Sequence, residues 1–129
     1  MEITLLEHVN LRTVKIEKLE KWYTEVLNLK SGYRPPFGNV GLWMYAGDIP
    51  IVHLIEVSEE GENGNPSNEH FAMRASGLKS FLDKLDELRI PYWHVRVPVL
   101  DILQINITDP DGNNIHIDFS SEEAVMAGY

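Results

Sequence analysis

The first half of the chain shows β-type and helical hydrophobic patterns in ordered blocks. Residues 3–12 are rich in apolar and β-branched side chains, which predicts a strand. Residues 15–28 carry apolar side chains at helical spacing between Lys and Glu, which predicts an amphipathic helix. Residues 40–47 and 50–57 predict two further strands joined by a turn at Gly47. The apolar face of the predicted helix consists of Ile16, Leu19, Trp22, Tyr23 and Val26.

The second half repeats this order after a polar interruption. Residues 58–68 are acidic and contain Gly, Asn and Pro but no large apolar side chain, which predicts a solvated linker. A strand over 69–76 and a helix over 77–89 are predicted to follow, and the tail at 121–129 fits either a short helix or a disordered end. Three strands complete this half, over 91–98, 102–110 and 113–120.

An internal repeat relates the two halves. LEHVNLRT in the first half aligns with NEHFAMRA in the second, which places His8 on His70. At an offset one residue longer, IVHLIE aligns with NIHIDF, which places His53 on His116. Each half is therefore predicted to be a βαβββ module with one histidine on its first strand and one on its last.

Histidines at equivalent positions of a repeat indicate a metal site. Neutral imidazole is the commonest protein ligand for transition metals such as Zn, Ni, Fe and Co. We therefore predict that His8, His53, His70 and His116 bind a divalent transition metal, with Mn as a further candidate. The alternative is that each is an ordinary packed histidine. His94 has no repeat partner and is interpreted as an ordinary strand residue or part of a cavity wall.

Substrate-binding candidates lie near these histidines. Strand alternation places Arg12 on the same face as His8, where it is predicted to bind a carboxylate or phosphate of a substrate; pairing with an acidic side chain is the alternative. For its repeat partner Arg74 that alternative is preferred. Trp43 and Tyr45 alternate on the third strand and either line a pocket or pack in the core.

The segment between the first helix and the third strand contains Tyr33, Arg34 and Pro35-Pro36-Phe37. Consecutive prolines fix the backbone, so this segment is either a rim or lid over a pocket or a rigid connector.

Composition restricts the class of protein. The chain has 129 residues with 43% apolar and 24% charged side chains, which is typical of one globular domain. Its formal net charge of −9 disfavours nucleic-acid and membrane-surface binding. There is no cysteine, which excludes disulfides and thiolate metal ligands. The N-terminal sequence lacks a secretory signal pattern, so a cytoplasmic location is expected.

Paired βαβββ modules with LEHVNLRT and NEHFAMRA as first strands, and IVHLIEV and TDPDGNNIHIDF as last segments, resemble the vicinal oxygen chelate superfamily. That superfamily includes glyoxalase I, methylmalonyl-CoA epimerase, fosfomycin-modifying thiol transferases, bleomycin-resistance proteins and extradiol dioxygenases. The resemblance implies an α+β fold in which two tandem βαβββ modules form an open, cupped mixed sheet with helices outside. It implies one domain over 1–129, with module one at about 3–57 and module two at about 69–120.

The resemblance also implies the metal ligands, one on the first and one on the last strand of each module. Carried over to this chain, they are His8, His53, His70 and His116. Relatives usually carry Glu at the position of His116, so the chain departs from the family there. Asp118, two residues further on the same face, is the alternative oxygen ligand.

The activity implied by the resemblance is a metal-dependent isomerase or lyase reaction on a small substrate with vicinal oxygens, through a metal-stabilised enolate. Two alternatives remain open: a dioxygenase with an all-histidine iron site, and a non-catalytic small-molecule-binding or resistance protein. Two-module members often pair, so the resemblance further implies a homodimer.

Overall fold

In a computed structural model of the protein, residues 1, 6–58, 70–97 and 100–129 are described. The chain divides into two compact units, Met1–Asn65 and Pro66–Tyr129. The first unit contains β1 (Val9–Thr13), α1 (Ile16–Leu27), β2 (Lys30–Gly32), β3 (Gly41–Ala46) and β4 (Ile49–Glu56). The second contains β5 (Phe71–Arg74), α2 (Leu78–Leu88), β6 (Trp93–Val97), β7 (Ile102–Thr108), β8 (Asn114–Ser120) and α3 (Ser121–Met126).

Both units build the same sheet. The strand order is β1-β4-β3-β2 in the first unit and β5-β8-β7-β6 in the second. The first and last strands of each unit pair in parallel, and the remaining neighbours pair antiparallel. The expected α+β fold of two open, mixed βαβββ sheets is thereby confirmed.

The pairing register repeats as well. Asn10 lies opposite His53 in the β1–β4 pair, and Ala72 lies opposite His116 in the β5–β8 pair. Each of these partners is the second residue after the first histidine of its unit. The repeat seen in the sequence is therefore carried into the alignment of the strands.

One face of each sheet is apolar and covered by a helix. In the first unit α1 buries one stripe of side chains, while β4 buries Val52 and Leu54 on alternate positions. In the second unit Phe81 of α2 packs on Phe119 of β8, with ring centroids 5.8 Å apart. Burying an aliphatic side chain contributes about 1.5–3 kcal/mol, so these alternating rows fix which face looks away from solvent. The α1 stripe is Ile16, Leu19, Tyr23 and Val26.

The predicted elements differ from the observed ones mainly at their ends. His8 and His70 each lie one residue before the first strand of their unit rather than within it. A short strand, β2, forms at the start of the segment between the first helix and the third strand, for which no strand was predicted above. The tail forms α3, because the Ser120 side chain accepts a hydrogen bond from the Glu123 N–H at 3.3 Å and caps the helix. Residues 3–5 and most of the predicted linker lie outside the described residues.

The start of α2 is held by a side chain from α3. Gly77 precedes α2 in a left-handed conformation, φ 88°, and offers no side-chain cap. Glu123 Oε1 instead accepts hydrogen bonds from the backbone N–H of Gly77 at 2.5 Å and of Leu78 at 3.3 Å. A carboxylate at this position also interacts favourably with the helix dipole.

Replacing Glu123 with alanine is expected to lower the free energy of unfolding by about 0.5–2 kcal/mol, the range for a lost helix cap. Urea unfolding of the variant and the wild type measures the difference. Glu122→Ala is the matched control, because it removes the same charge from the same turn of α3. Equal losses in the two variants would contradict a capping role for Glu123.

Among the described residues, no helix is both long enough and apolar enough to cross a membrane.

Candidate functional site

The open face of the first sheet carries the polar and aromatic side chains. His53 of β4 lies between Asn10 of β1 and Trp43 of β3 in the strand register. Side chains at paired positions of neighbouring strands point to the same face. The register therefore brings the central histidine of this unit beside an amide and an indole.

The rings of His8, His53 and Trp43 form a stack. The imidazoles of His8 and His53 are 3.8 Å apart between centroids and 17° from parallel. The indole of Trp43 covers the other face of His53 at 4.1 Å and 8°. The His53 ring is thus sandwiched, and its plane is fixed by contacts on both sides.

The His53 side chain carries its proton on one definite nitrogen. It forms a hydrogen bond with the backbone of Pro50. Proline has no N–H, so the imidazole must donate to the Pro50 carbonyl. Nε2 is shielded from solvent and has no hydrogen-bond partner among the described residues. The donor is therefore Nδ1, which leaves a lone pair on Nε2.

Burial lowers the pKa of His53 below its ordinary value of 6.5, with the charges of His8 and Arg34 acting in the same direction. The Pro50 hydrogen bond and Glu7 act to raise the pKa of His53, less strongly than burial and His8 lower it but more strongly than Arg34 does. At neutral pH the ring is therefore a neutral imidazole, the form that binds metals.

This shift predicts how stability depends on pH. A lowered folded-state pKa means that the unfolded chain binds a proton more readily below pH 6.5. In metal-free protein, the free energy of unfolding is therefore expected to fall as pH drops from 6.5 through the folded-state pKa. Urea unfolding between about pH 8 and pH 5 measures this slope. His53→Gln should flatten it, whereas an unchanged slope would contradict the assignment to His53.

A cavity of about 500 Å³ opens on this face of the first unit. Such a volume is within the range of small-molecule sites, about 300–1,000 Å³. Its walls combine aromatic rings with amides and one permanently charged group. The lining residues are Glu7, His8, Asn10, Arg34, Phe37, Asn39, Trp43, Pro50, His53 and Ile55.

The predicted substrate-binding residues have different positions relative to this cavity. Trp43 lines it, as expected for a pocket wall. Arg12 and Tyr45 are not among the described residues that line it. The Tyr45 hydroxyl donates to the Tyr33 carbonyl at 2.6 Å, which ties β3 to the segment before it.

In the second unit His116 lies between Ala72 of β5 and Asn106 of β7 in the register. Its ring is 4.6 Å from that of His70. His116 Nδ1 is 2.8 Å from Asp118 Oδ1 and 3.4 Å from the amide nitrogen of Gln104. A carboxylate carries no proton to donate, so the short contact places the proton on Nδ1 and leaves the lone pair on Nε2.

The two last-strand histidines therefore share one arrangement. His53 and His116 each use Nδ1–H on a protein oxygen, a backbone carbonyl in one unit and a carboxylate in the other. This is the usual state of a metal-binding histidine, whose second nitrogen is held by an oxygen while Nε2 meets the metal. His8 Nδ1 also lies 3.5 Å from Glu7 Oε2.

The donor chemistry of these histidines thus fits a transition metal. The His8 and His53 rings are nearly parallel, so their in-plane lone pairs do not converge until one ring turns. His8 precedes β1 and its side chain is 35% exposed, so it is the ring with room to rotate. Within the described part of the chain, no group of three or more His, Asp or Glu side chains is close enough to hold a metal ion.

His94, which has no repeat partner, lies away from this chemistry. It is on the edge strand β6 and packs edge-on against the ring of Tyr129, with centroids 4.7 Å apart. This agrees with its interpretation as an ordinary strand residue.

Two features of the sites were given too little weight in the sequence. Arg34 was interpreted only as part of a rim or connector, yet it lines the cavity. Asp118, predicted as an alternative ligand, forms a hydrogen bond with the ring of His116. The sequence feature that indicates a role for Asp118 is its position two residues after His116, on the same face of the strand. The feature that indicates a role for Arg34 is the glycine at position 41, which lies next to its guanidinium group.

Comparison with solved structures agrees with this architecture. A glyoxylase/bleomycin resistance protein/dioxygenase domain from Frankia sp. EAN1pec matches with a TM-score of 0.75 and 15% identity, over 92% of this chain and 99% of that one. Lactoylglutathione lyase from Agrobacterium tumefaciens matches with a TM-score of 0.69 and 16% identity over 100% of both chains. A glyoxalase family protein from Enterococcus faecalis gives a TM-score of 0.68 and 16% identity, covering 92% and 100%.

The family itself is defined by sequence. The family model for the Glyoxalase/Bleomycin resistance protein/Dioxygenase superfamily matches residues 5–117. The chain therefore belongs to this superfamily, as its repeat and motifs predicted. No curated protein matches the sequence.

Proposed function

We propose that the protein is a metal-dependent enzyme of glyoxalase type, an isomerase or lyase acting on a small substrate with vicinal oxygens. Superfamily membership and the fold shared with a lactoylglutathione lyase support this class of reaction. His8 and His53 on the first unit, and His70 and His116 on the second, are the proposed ligands of a divalent transition metal, such as Zn, Ni, Fe, Mn or Co.

The observation that carries the proposal is the state of the last-strand histidines. His53 and His116 are buried, 7% and 8% exposed, and each has its Nδ1 held by an oxygen. A packed histidine that served only the core would gain more by hydrogen-bonding both nitrogens, yet Nε2 of His53 has no partner among the described residues. A bound metal would supply Lewis-acid polarisation of the substrate oxygens.

The chain's own residues would hold and orient both partners of the reaction. Asp118 fixes the plane and tautomer of His116, and Trp43 with Pro50 does the same for His53. The cavity of the first unit would bind the substrate and exclude water from part of its surface. We place Asp118 as a positioning residue and His116 as the ligand in its unit.

A homodimer and a cytoplasmic location remain part of this proposal. Superfamily membership supports the dimer, and the acidic composition supports a small-molecule substrate rather than nucleic acid. Equilibrium sedimentation of the purified protein measures the oligomeric state directly.

The test is metal content combined with turnover. Purified protein is analysed for metals, stripped with a chelator, and assayed before and after reloading with each candidate metal. The substrates are 2-oxoaldehyde–thiol adducts, α-hydroxyketones and catechols, the last with and without oxygen. We expect turnover of a vicinal-oxygen compound that disappears on chelation and returns on reloading. Turnover that survives complete metal removal would contradict the proposal.

A non-catalytic small-molecule-binding protein is the second candidate, and the aromatic cavity of the first unit favours it. It predicts ligand binding that survives chelation, with no turnover under any metal. An oxygen-dependent reaction of catechols with iron alone would instead assign the dioxygenase activity that other superfamily members carry.

A further inference from the structure

The cavity of the first unit contains one permanently charged cation among the described residues that line it. Arg34 supplies this charge, as the one arginine or lysine among those lining residues. Glu7, the one lining carboxylate, has a side chain that is 77% exposed and is paired with His8 rather than with Arg34. The chain as a whole has a net charge of −9, so the positive charge in this cavity is a local exception to an acidic chain.

Arg34 is held in place without a carboxylate. Its Nη1 donates to the Asn39 carbonyl at 3.1 Å, and its Nη2 donates to Asn39 Oδ1 at 2.7 Å. A Cβ at position 41 would lie 2.5 Å from the Leu54 carbonyl oxygen, so this position requires glycine, and the guanidinium carbon of Arg34 lies 3.1 Å from the same point. The guanidinium also lies 4.8 Å from the centre of the Phe37 ring.

These contacts use only part of the hydrogen-bonding capacity of Arg34. Asn39 takes one donor from each terminal nitrogen, which leaves one further N–H on each of them. Nε is shielded from solvent and has no hydrogen-bond partner among the described residues. A remaining terminal N–H can donate a charge-assisted hydrogen bond to a carboxylate oxygen. Arg34 is thus oriented by neutral groups, and no carboxylate among the described residues pairs with it.

Flat apolar surfaces lie next to this charge. The rings of Phe37 and Trp43 are 6.1 Å apart at 44°, and Trp43 is backed by His53. Phe37 is 54% exposed, so part of its ring is open to contact with a ligand. Rings that line a cavity beside a cation suit a planar molecule with one anionic end.

We propose that the cavity of the first unit selects flat organic carboxylates, with Arg34 binding the carboxylate and Trp43 and Phe37 contacting the apolar body. This inference rests on the proposed function, since it names the substrate class of the same site, and it assigns the anchoring role to Arg34 instead of Arg12. Ligand binding alone tests this inference. The inference can therefore fail while metal-dependent turnover is observed, and it can hold while metal-dependent turnover is absent.

The experiment compares naphthalene-2-carboxylate with 2-naphthamide, which has nearly the same shape but no charge. Calorimetry on the full chain, with and without chelator, gives both affinities. We expect the carboxylate to bind the wild type more tightly than the amide. Arg34→Gln should weaken carboxylate binding about 10- to 100-fold, the range for a hydrogen bond to a charged group, and change amide binding by less than about 3-fold.

Three variants make the result specific. Arg34→Lys keeps the charge but not the fork, so an intermediate loss is expected and shows that geometry matters. Arg89→Gln removes the same charge at the end of α2 and should leave both affinities unchanged. Circular dichroism confirms that each variant is folded.

The proposal is overturned if the wild type binds neither probe or binds both equally. It is also overturned if Arg34→Gln retains full carboxylate affinity, or if Arg12→Gln causes the loss instead.

Discussion

Replacing His116 with alanine is expected to weaken metal binding by at least ~100-fold, because removing a ligand costs more than removing the group that orients it, which is typically 10- to 100-fold. His116 is 8% exposed and its Nε2 lone pair is set by the Asp118 contact. His53→Ala should cause a loss of similar size in the first unit. Competition titration against a chromogenic chelator gives the affinities, and elemental analysis gives the metal content as purified.

His94→Ala is the matched control, because it removes an imidazole that packs on Tyr129 away from the proposed ligands. It should bind metal like the wild type. If His116→Ala and His53→Ala both retain the wild-type metal content and affinity, the histidines are packing residues and the metal proposal is wrong. Unfolding curves on each variant separate loss of a ligand from loss of the fold.

Replacing Asp118 with alanine is expected to weaken metal binding about 10- to 100-fold without removing a ligand. The carboxylate holds His116 Nδ1–H at 2.8 Å, so its loss frees the ring to rotate and to exchange tautomers. The same change leaves a buried N–H unpaired, which should cost about 1–3 kcal/mol of folding stability. Asp118→Asn keeps a neutral hydrogen-bond acceptor, so its losses of metal affinity and of folding stability should both be smaller.

The two readouts distinguish positioning from direct binding. If Asp118 were itself the ligand, Asp118→Asn would lose nearly as much metal affinity as Asp118→Ala, and His116→Ala would lose little. Asp111→Asn, in the exposed turn before β8, controls for the change in charge. A pattern in which His116→Ala binds metal normally would assign the site to Asp118 instead.

The fold was largely predictable because its signals are local. Alternating apolar residues define β7 and β8, where Leu103, Ile105 and Ile117 are almost fully buried. The repeat then predicted that both halves have the same strand order, which the two sheets show. The local pattern did not predict the exact strand ends. It also did not predict that His8, just before β1, stacks on a ring of β4 that a ring of β3 covers in turn.

The candidate site was predictable only in part. The repeat singled out the histidines, because two pairs of histidines at equivalent positions of two modules are improbable by chance. The roles of their neighbours were less accessible: Arg12 was the expected anchor, but it does not line the cavity among the described residues, whereas Arg34 does. Arg34 comes from an irregular segment, and no periodicity predicts where a loop side chain points.

The amino-acid sequence by itself determined the βαβββ repeat, the superfamily and the choice of four candidate metal-binding histidines. It could do so because hydrophobic periodicity and motif spacing are properties of the sequence alone. The tertiary structure decided which nitrogen of His53 and His116 carries the proton, and that Asp118 supports a ring. It also decided that Arg34 faces the cavity over Gly41. These properties depend on distances of a few ångströms between residues remote in sequence, and only strand register and packing set such distances.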